Sequence, residues 1–196
     1  MQEPLTSTAA LVVGLGYLLG SLPTAVLVCH SMGIADPRQQ GSRNPGATNV
    51  LRIGNPTAAV LTLLGDLSKG AAAVGAGLLA GLSGPALALS ALAAVLGHLY
   101  PIQGMRHGGK GVATTLGGCL VLSPPLALSQ IGSWLLIFAT TRISSLASVL
   151  TALLTPLYAW FLLPEMLGTL TLISLLLVGR HARNIRNLIS RHEPKL

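Results

Sequence analysis

The residues best suited to chemistry lie in three glycine- and asparagine-rich segments set between apolar runs. In the segment 97–118, Gly108, Gly109, Lys110 and Gly111 form a GGKG turn that runs straight into a helix beginning VATT. Free N–H groups at a helix start, the positive end of the dipole and an adjacent ammonium together make a phosphate site. It is not a Walker motif, in which Ser or Thr follows the lysine, because Gly111 stands there. The segment 33–55 reads GIADPRQQGSRNPGATNVLRIGN. There Gly41, Gly46 and Gly54 open backbone conformations closed to other residues, and Pro45 fixes a turn. Ser42, Asn44, Thr48 and Asn49 add short hydrogen-bonding groups. Such a loop folds backbone N–H groups into an anion nest, with Arg43 and Arg52 available to neutralise the charge.

The third segment, GRHARNIRNLISRHEPKL, starts at Gly179, and His181, Asn184 and Asn187 share a face if the helix before it continues. Its simpler reading is a basic juxtamembrane tail drawn to anionic headgroups. Asp66 and Lys69 in GDLSKG are spaced i, i+3 within an apolar run, either as a structural ion pair or as a wall of an active site. His98 closes another run, either bonded to backbone at a helix end or as part of a site. His30, His107 and His192 are expected to be solvated, and Asp36 and Arg38 to brace their loop. No metal cluster is visible and no cofactor is expected.

The elements that must position these groups are helices in a bilayer. Of 196 residues 51% are apolar and 9% charged, against roughly 25% charged in a soluble domain. That excludes an ordinary soluble globule. The net charge of +7 suits an anionic partner, and 4% aromatic content argues against nucleic acid. Cys29 and Cys119 lie in apolar runs without ligand spacing and read as small buried hydrophobes. The N-terminus lacks the basic region of a signal peptide, so the first apolar run is expected to stay in the mature protein.

Apolar runs occupy 8–28, 56–82, 85–100, 111–140, 143–163 and 165–178. The fourth contains Ser123, Pro124 and Pro125, a kink in one helix or a turn between two. With a turn there, every Lys and Arg except Lys69 falls on one face, as the positive-inside rule asks. The expectation is therefore an all-α integral membrane protein of seven transmembrane helices. Its N-terminus lies outside, its C-terminus is cytoplasmic and its polar motifs sit on cytoplasmic loops. The whole chain, 1–196, forms a single transmembrane domain. The helix from Gly111 to Leu122, about 18 Å long, is short for a core of about 30 Å and needs shielding by its neighbours.

GSLPTA at 20–25, GSRNPGATNVLR at 41–52, DLSKG at 66–70, GHLYP at 97–101, GGKGVAT at 108–114 and RHARNI at 180–185 closely resemble the bacterial acyl-phosphate:glycerol-3-phosphate acyltransferases, the PlsY family. The resemblance implies a seven-helix protein of the bacterial inner membrane. It also implies transfer of a fatty acyl group from acyl phosphate to the sn-1 hydroxyl of glycerol 3-phosphate, giving lysophosphatidic acid and phosphate. It makes Ser42 and Arg52 the essential pair of the first motif and places glycerol 3-phosphate at the glycine-rich turn with Lys110. His181 and Asn184 contribute from the third motif, with Glu193 supporting that segment. Asn44, Gly46, Thr48, Asn49, Asp66, Lys69, His98, Gly108, Gly109 and Gly111 are the candidate substrate-binding residues around them. Membrane lipid and the acyl-phosphate-forming enzyme are the expected partners besides the substrates. Three departures from the family pattern stand out: Arg43 for Gly, Arg106-His107 for Phe-Lys, and Asn187 for Arg. These departures add or shift positive charge.

Acyl phosphate is an activated mixed anhydride, so no covalent acyl-enzyme is needed, and holding the hydroxyl near the carbonyl supplies much of the rate. A substrate phosphate oxygen, or else His181, takes the hydroxyl proton. The HxxxxD pattern of other glycerol-phosphate acyltransferases is absent: Gln103 follows His98 and Arg186 follows His181 at that spacing. Acyl-CoA is therefore not the expected donor. The alternative, a small transporter of an organic phosphate, predicts midplane sites and internal repeats, and neither is visible.

Overall fold

Pro23 lies inside the first apolar run, where it has no N–H to continue an α-helical ladder. A computed structural model describes residues 7–104 and 108–196, and in it this run is two helices, α1 (Ser7–Gly20) and α2 (Thr24–Ser31). The expected continuous first helix is thus corrected to a broken one. Ser21 steadies the break, with its amide and its hydroxyl each donating to Tyr17 O at 2.9 Å.

The first compact unit ends at Leu122. After α2 come α3 (Ala47–Arg52), α4 (Pro56–Leu79), α5 (Gly84–Leu99) and α6 (Val112–Leu122). The segment 33–55, read as loop throughout, therefore carries a short helix. Asn55 caps α4, its side chain accepting from Ala58 N at 2.8 Å, and Pro56 occupies the first turn, where a missing N–H costs nothing. At 24 residues α4 is about 36 Å long, enough to cross a bilayer core. It packs chiefly on α6, and α1 packs on α5. Both crossings need bare backbone: a Cβ on Gly70 would strike Thr114 O, one on Gly117 would strike Leu67 O, and one on Gly97 would strike Tyr17 O. Small residues at such crossings are how membrane helices approach closely.

The second unit, Ser123–Leu196, holds α7 (Pro124–Thr141), α8 (Ser144–Leu162), α9 (Leu167–Arg180) and α10 (Ala182–Ile189). Ser123 Oγ accepts from Leu126 N at the start of α7, so the run 111–140 is two helices with its break at Ser123. Polar rungs tie α7 to α8: Gln130 Nε2 donates to Thr155 Oγ1 at 3.0 Å, Trp134 Nε1 donates to Ser148 Oγ at 3.1 Å, and Ser133 meets Tyr158.

The described residues contain no strand, and three segments are long and apolar enough to cross a membrane: Ser7–Ser31, Pro56–Leu79 and Ser144–Leu162. Polarity is inverted relative to a soluble protein. Leu11, Leu79, Leu136 and Phe161 are exposed while Asp66, Lys69, Thr62 and Ser90 are buried. A lipid solvent asks for that arrangement. Both cysteines are buried, as expected of small hydrophobes.

Candidate active site

In the first loop, Asn49 organises the backbone. It lies on α3, is 1% exposed, and donates from Nδ2 to Pro37 O at 2.8 Å and to Gln40 O at 3.1 Å. Its Oδ1 accepts from Ser42 N at 2.8 Å. Gly41 and Arg43 flank Ser42 with φ of 57° and 61°, so the turn presents Ser42 at the surface. A Cβ on Gly41 would collide with Asn49 Oδ1. Asn44, Thr48 and Arg52 are half-buried around this turn, Arg52 closing α3, and Gly46 is the extended residue that opens α3. Upstream, Asp36 grips Arg38, with Nη2 donating to Oδ2 at 2.6 Å and Nε donating to both carboxylate oxygens at 3.0 Å. That bond pushes the Arg38 guanidinium above its ordinary range and keeps it charged.

The glycine-rich turn sits on the end of α5. Gly108 and Gly109 are buried, Lys110 is half-buried, and Gly111 takes φ of 85° immediately before α6. Gly109 N donates to His98 O at 3.1 Å. The His98 ring lies directly beneath Gly109, whose Cβ would fall on Nε2. On its other side His98 Nδ1 is 3.0 Å from Thr114 Oγ1 and 3.4 Å from Asp66 Oδ1. Asp66 also pairs with Lys69 Nζ at 2.9 Å and accepts from the Thr24 hydroxyl. Lys69 Nζ in turn donates to Leu22 O at 3.0 Å, a carbonyl at the break in the first helix that also accepts from Thr24 N at 3.0 Å.

A cleft opens along this network, lined by Leu22, Thr24, Arg38, Pro45, Asp66, Lys69, His98, Gly108 and Gly109. Of the two readings of Asp66 and Lys69, the structure gives both: an ion pair that also walls a cleft. From the first loop it is Arg38 and Pro45 that reach this cleft, rather than Ser42 or Arg52. Thr24 was not among the candidates read from the sequence, and Arg38, expected only to brace its loop with Asp36, does so and also lines the cleft. The signal for Thr24 was a proline flanked by Ser21 and Thr24 inside an apolar run, the mark of a break lined with hydroxyls.

In the second unit, the helix does not continue through the third motif, since His181 stands between α9 and α10. It is 3% exposed, and its Nδ1 donates to Leu177 O at 2.8 Å. A carbonyl only accepts, so Nδ1 carries a proton and this bond fixes the orientation of the ring. Asn184 and Asn187 both turn to Glu193, which accepts from Asn184 Nδ2 at 2.6 Å, from Asn187 Nδ2 at 3.2 Å and from Ser145 Oγ at 2.7 Å. His30 and His192 are exposed, as expected of solvated histidines. Arg106 and His107 lie outside the described residues.

A family model described as glycerol-3-phosphate acyltransferase matches residues 10–191. The chain belongs to the glycerol-3-phosphate acyltransferase family. A glycerol-3-phosphate acyltransferase of Laribacter hongkongensis is 51% identical over 98% of this chain and 97% of its own length. Another, of Thioalkalivibrio sulfidiphilus, is 48% identical over 96% and 93%. The crystal structure of PlsY (YgiH), an integral membrane glycerol 3-phosphate acyltransferase, in its glycerol 3-phosphate form matches with a TM-score of 0.90 at 34% identity, covering 97% of this chain and 96% of that one. Its lysophosphatidic acid form matches with a TM-score of 0.88 over the same shares. The protein is thus an acyltransferase with an all-helical, membrane-embedded fold, and membership of this family removes the carrier alternative.

Proposed function

We propose that this protein transfers a fatty acyl group from acyl phosphate to the sn-1 hydroxyl of glycerol 3-phosphate, producing lysophosphatidic acid and phosphate for phospholipid synthesis. The observation that carries the reading is the buried Gly108–Gly111 turn, which delivers Lys110 and the start of α6 to one place in a chain of this family. Support for the substrate and product comes from the related PlsY, described in glycerol 3-phosphate and lysophosphatidic acid forms. The chain acts as one acyltransferase domain of seven transmembrane helices in the bacterial inner membrane. Its N-terminus is outside and its motifs are cytoplasmic, the topology that gathers every Lys and Arg but Lys69 on one face. Membrane lipid surrounds it, and the enzyme that makes acyl phosphate supplies it.

In this reaction the sn-1 oxygen forms a bond to the acyl carbonyl carbon while the carbon–oxygen bond to phosphate breaks. The hydroxyl proton passes to a phosphate oxygen of the substrate, so no group on the enzyme is acylated. Ser42, Arg52 and Lys110 act on the acyl phosphate and the departing phosphate, and Gly108, Gly109 and Gly111 hold glycerol 3-phosphate. His181 and Asn184 contribute polar contacts to the reacting groups, while Asn44, Gly46, Thr48 and Asn49 shape the first loop.

Turnover of purified Ser42→Ala, Arg52→Ala and His181→Ala proteins with both substrates tests these roles. Losing an oxyanion or phosphate donor is expected to lower kcat by about 10²–10³ in the first two. Near-normal turnover of His181→Ala excludes the histidine as base, whereas unchanged rates in Ser42→Ala and Arg52→Ala contradict the assignment.

A further inference from the structure

A phosphate-binding turn made of glycines has a difficulty built into it: the residues that let its N–H groups point outward are also the least able to hold that shape. Something outside the turn must fix it, and the contacts of His98 do so from three directions. Its carbonyl accepts from Gly109 N at 3.1 Å, its ring occupies the space a Gly109 side chain would need, and its Nδ1 reaches Thr114 in the first turn of α6 at 3.0 Å. The ring is fixed in turn by Asp66 at 3.4 Å, and Asp66 is held by Lys69 and Thr24.

All three ionisable members are nearly solvent-free, with Asp66 3%, Lys69 5% and His98 7% exposed. Their side chains bond to one another, to Thr24 and Thr114, and to the backbone at Leu22. A carboxylate engaged by an ammonium, a hydroxyl and an imidazole is compensated before any substrate arrives. We infer that Asp66 and His98 are positioning residues, whose work is to hold the Gly108–Gly111 turn in the shape that receives the phosphate of glycerol 3-phosphate, rather than ligands of that substrate. The inference rests on the functional reading above. Misplacing such a turn by an ångström weakens phosphate binding while the chemical groups stay intact.

The test uses full-length purified protein and measures glycerol 3-phosphate binding by calorimetry, KM and kcat in turnover, and Tm in the same preparations. His98→Ala is expected to raise Kd and KM for glycerol 3-phosphate about tenfold, the size of one hydrogen bond to a charged group, with a smaller change in kcat. His98→Asn, which retains a polar group near the Nδ1 position, is expected to recover much of that loss. Gly109→Ala is expected to bind worse than either because its methyl meets the ring. Adding His98→Ala to Gly109→Ala is expected to improve binding over Gly109→Ala alone, since the vacated ring space takes the methyl.

Unchanged Kd and KM in His98→Ala, a loss confined to Tm, or a Gly109→Ala defect that ignores His98 each overturns the inference. If His98→Ala does not fold, His98→Asn combined with Gly109→Ala decides by the same comparison. A wild-type protein that makes no lysophosphatidic acid overturns the functional reading. Wild-type turnover with an indifferent His98 overturns only the positioning role.

Discussion

Asn49 and Ser42, seven residues apart, are joined by one hydrogen bond from the serine amide to the asparagine Oδ1 at 2.8 Å. The same side chain donates to Pro37 O and Gln40 O, so a single buried amide defines the backbone from which Ser42 projects. Asn49→Ala removes all three bonds, which at about 0.5–1.5 kcal/mol each predicts a loss of about 2–4 kcal/mol. Turnover is expected to fall on the order of 100-fold as Ser42 shifts. Thermal unfolding and initial rates on one preparation check both. Wild-type rates in Asn49→Ala sink the idea that this amide sets Ser42.

Arg43 stands where the resembled family carries Gly, and its φ of 61° shows what that Gly supplies. A left-handed conformation costs an L-residue about 1–2 kcal/mol. Arg43→Gly removes that cost, while the greater freedom of Gly in the unfolded chain returns part of it. The expected outcome is a net stabilisation of up to about 1 kcal/mol, read as a higher Tm. Arg43→Ala should show no gain, since alanine bears the same penalty.

Breaking the Asp66–Lys69 pair from one side leaves a buried charge. Asp66→Leu and Lys69→Met alone are each expected to destabilise by about 3–5 kcal/mol. Together they restore much of that, because no lone charge remains. A double-mutant cycle on Tm measures the coupling, and additive losses contradict the burial of the pair as one unit.

Glu193 gathers Ser145, Asn184 and Asn187 onto one carboxylate. Glu193→Gln replaces one acceptor oxygen with a donor that faces another N–H or O–H donor. The expected cost is about 1–3 kcal/mol, felt locally as faster hydrogen exchange in 182–193. Exchange that stays at the wild-type rate there contradicts the account of α10.

The local structure was readable wherever it was written in neighbouring residues. GGKG before an apolar run announces a turn into α6, and Ser123 with two prolines announces a helix start. Asp66 and Lys69 at i, i+3 announce their own pairing. What escaped depends on packing between distant segments. The break at Leu22–Pro23 hides inside an apolar run whose hydropathy a single proline barely alters. The bond between Ser42 and Asn49 requires α3 to form inside a segment whose glycines and asparagines read as loop. The link from Asp66 through His98 to Gly109 joins three elements, and no local spacing records it.

The proposed acyl source is acyl phosphate, attacked directly by glycerol 3-phosphate. Quantifying lysophosphatidic acid and phosphate made by the purified wild-type protein, with acyl phosphate and acyl-CoA supplied separately, decides this. The expected result is the two products in equal amounts from acyl phosphate, acylated at sn-1, and no lysophosphatidic acid from acyl-CoA. Lysophosphatidic acid from acyl-CoA, or phosphate released without it from acyl phosphate, would contradict it.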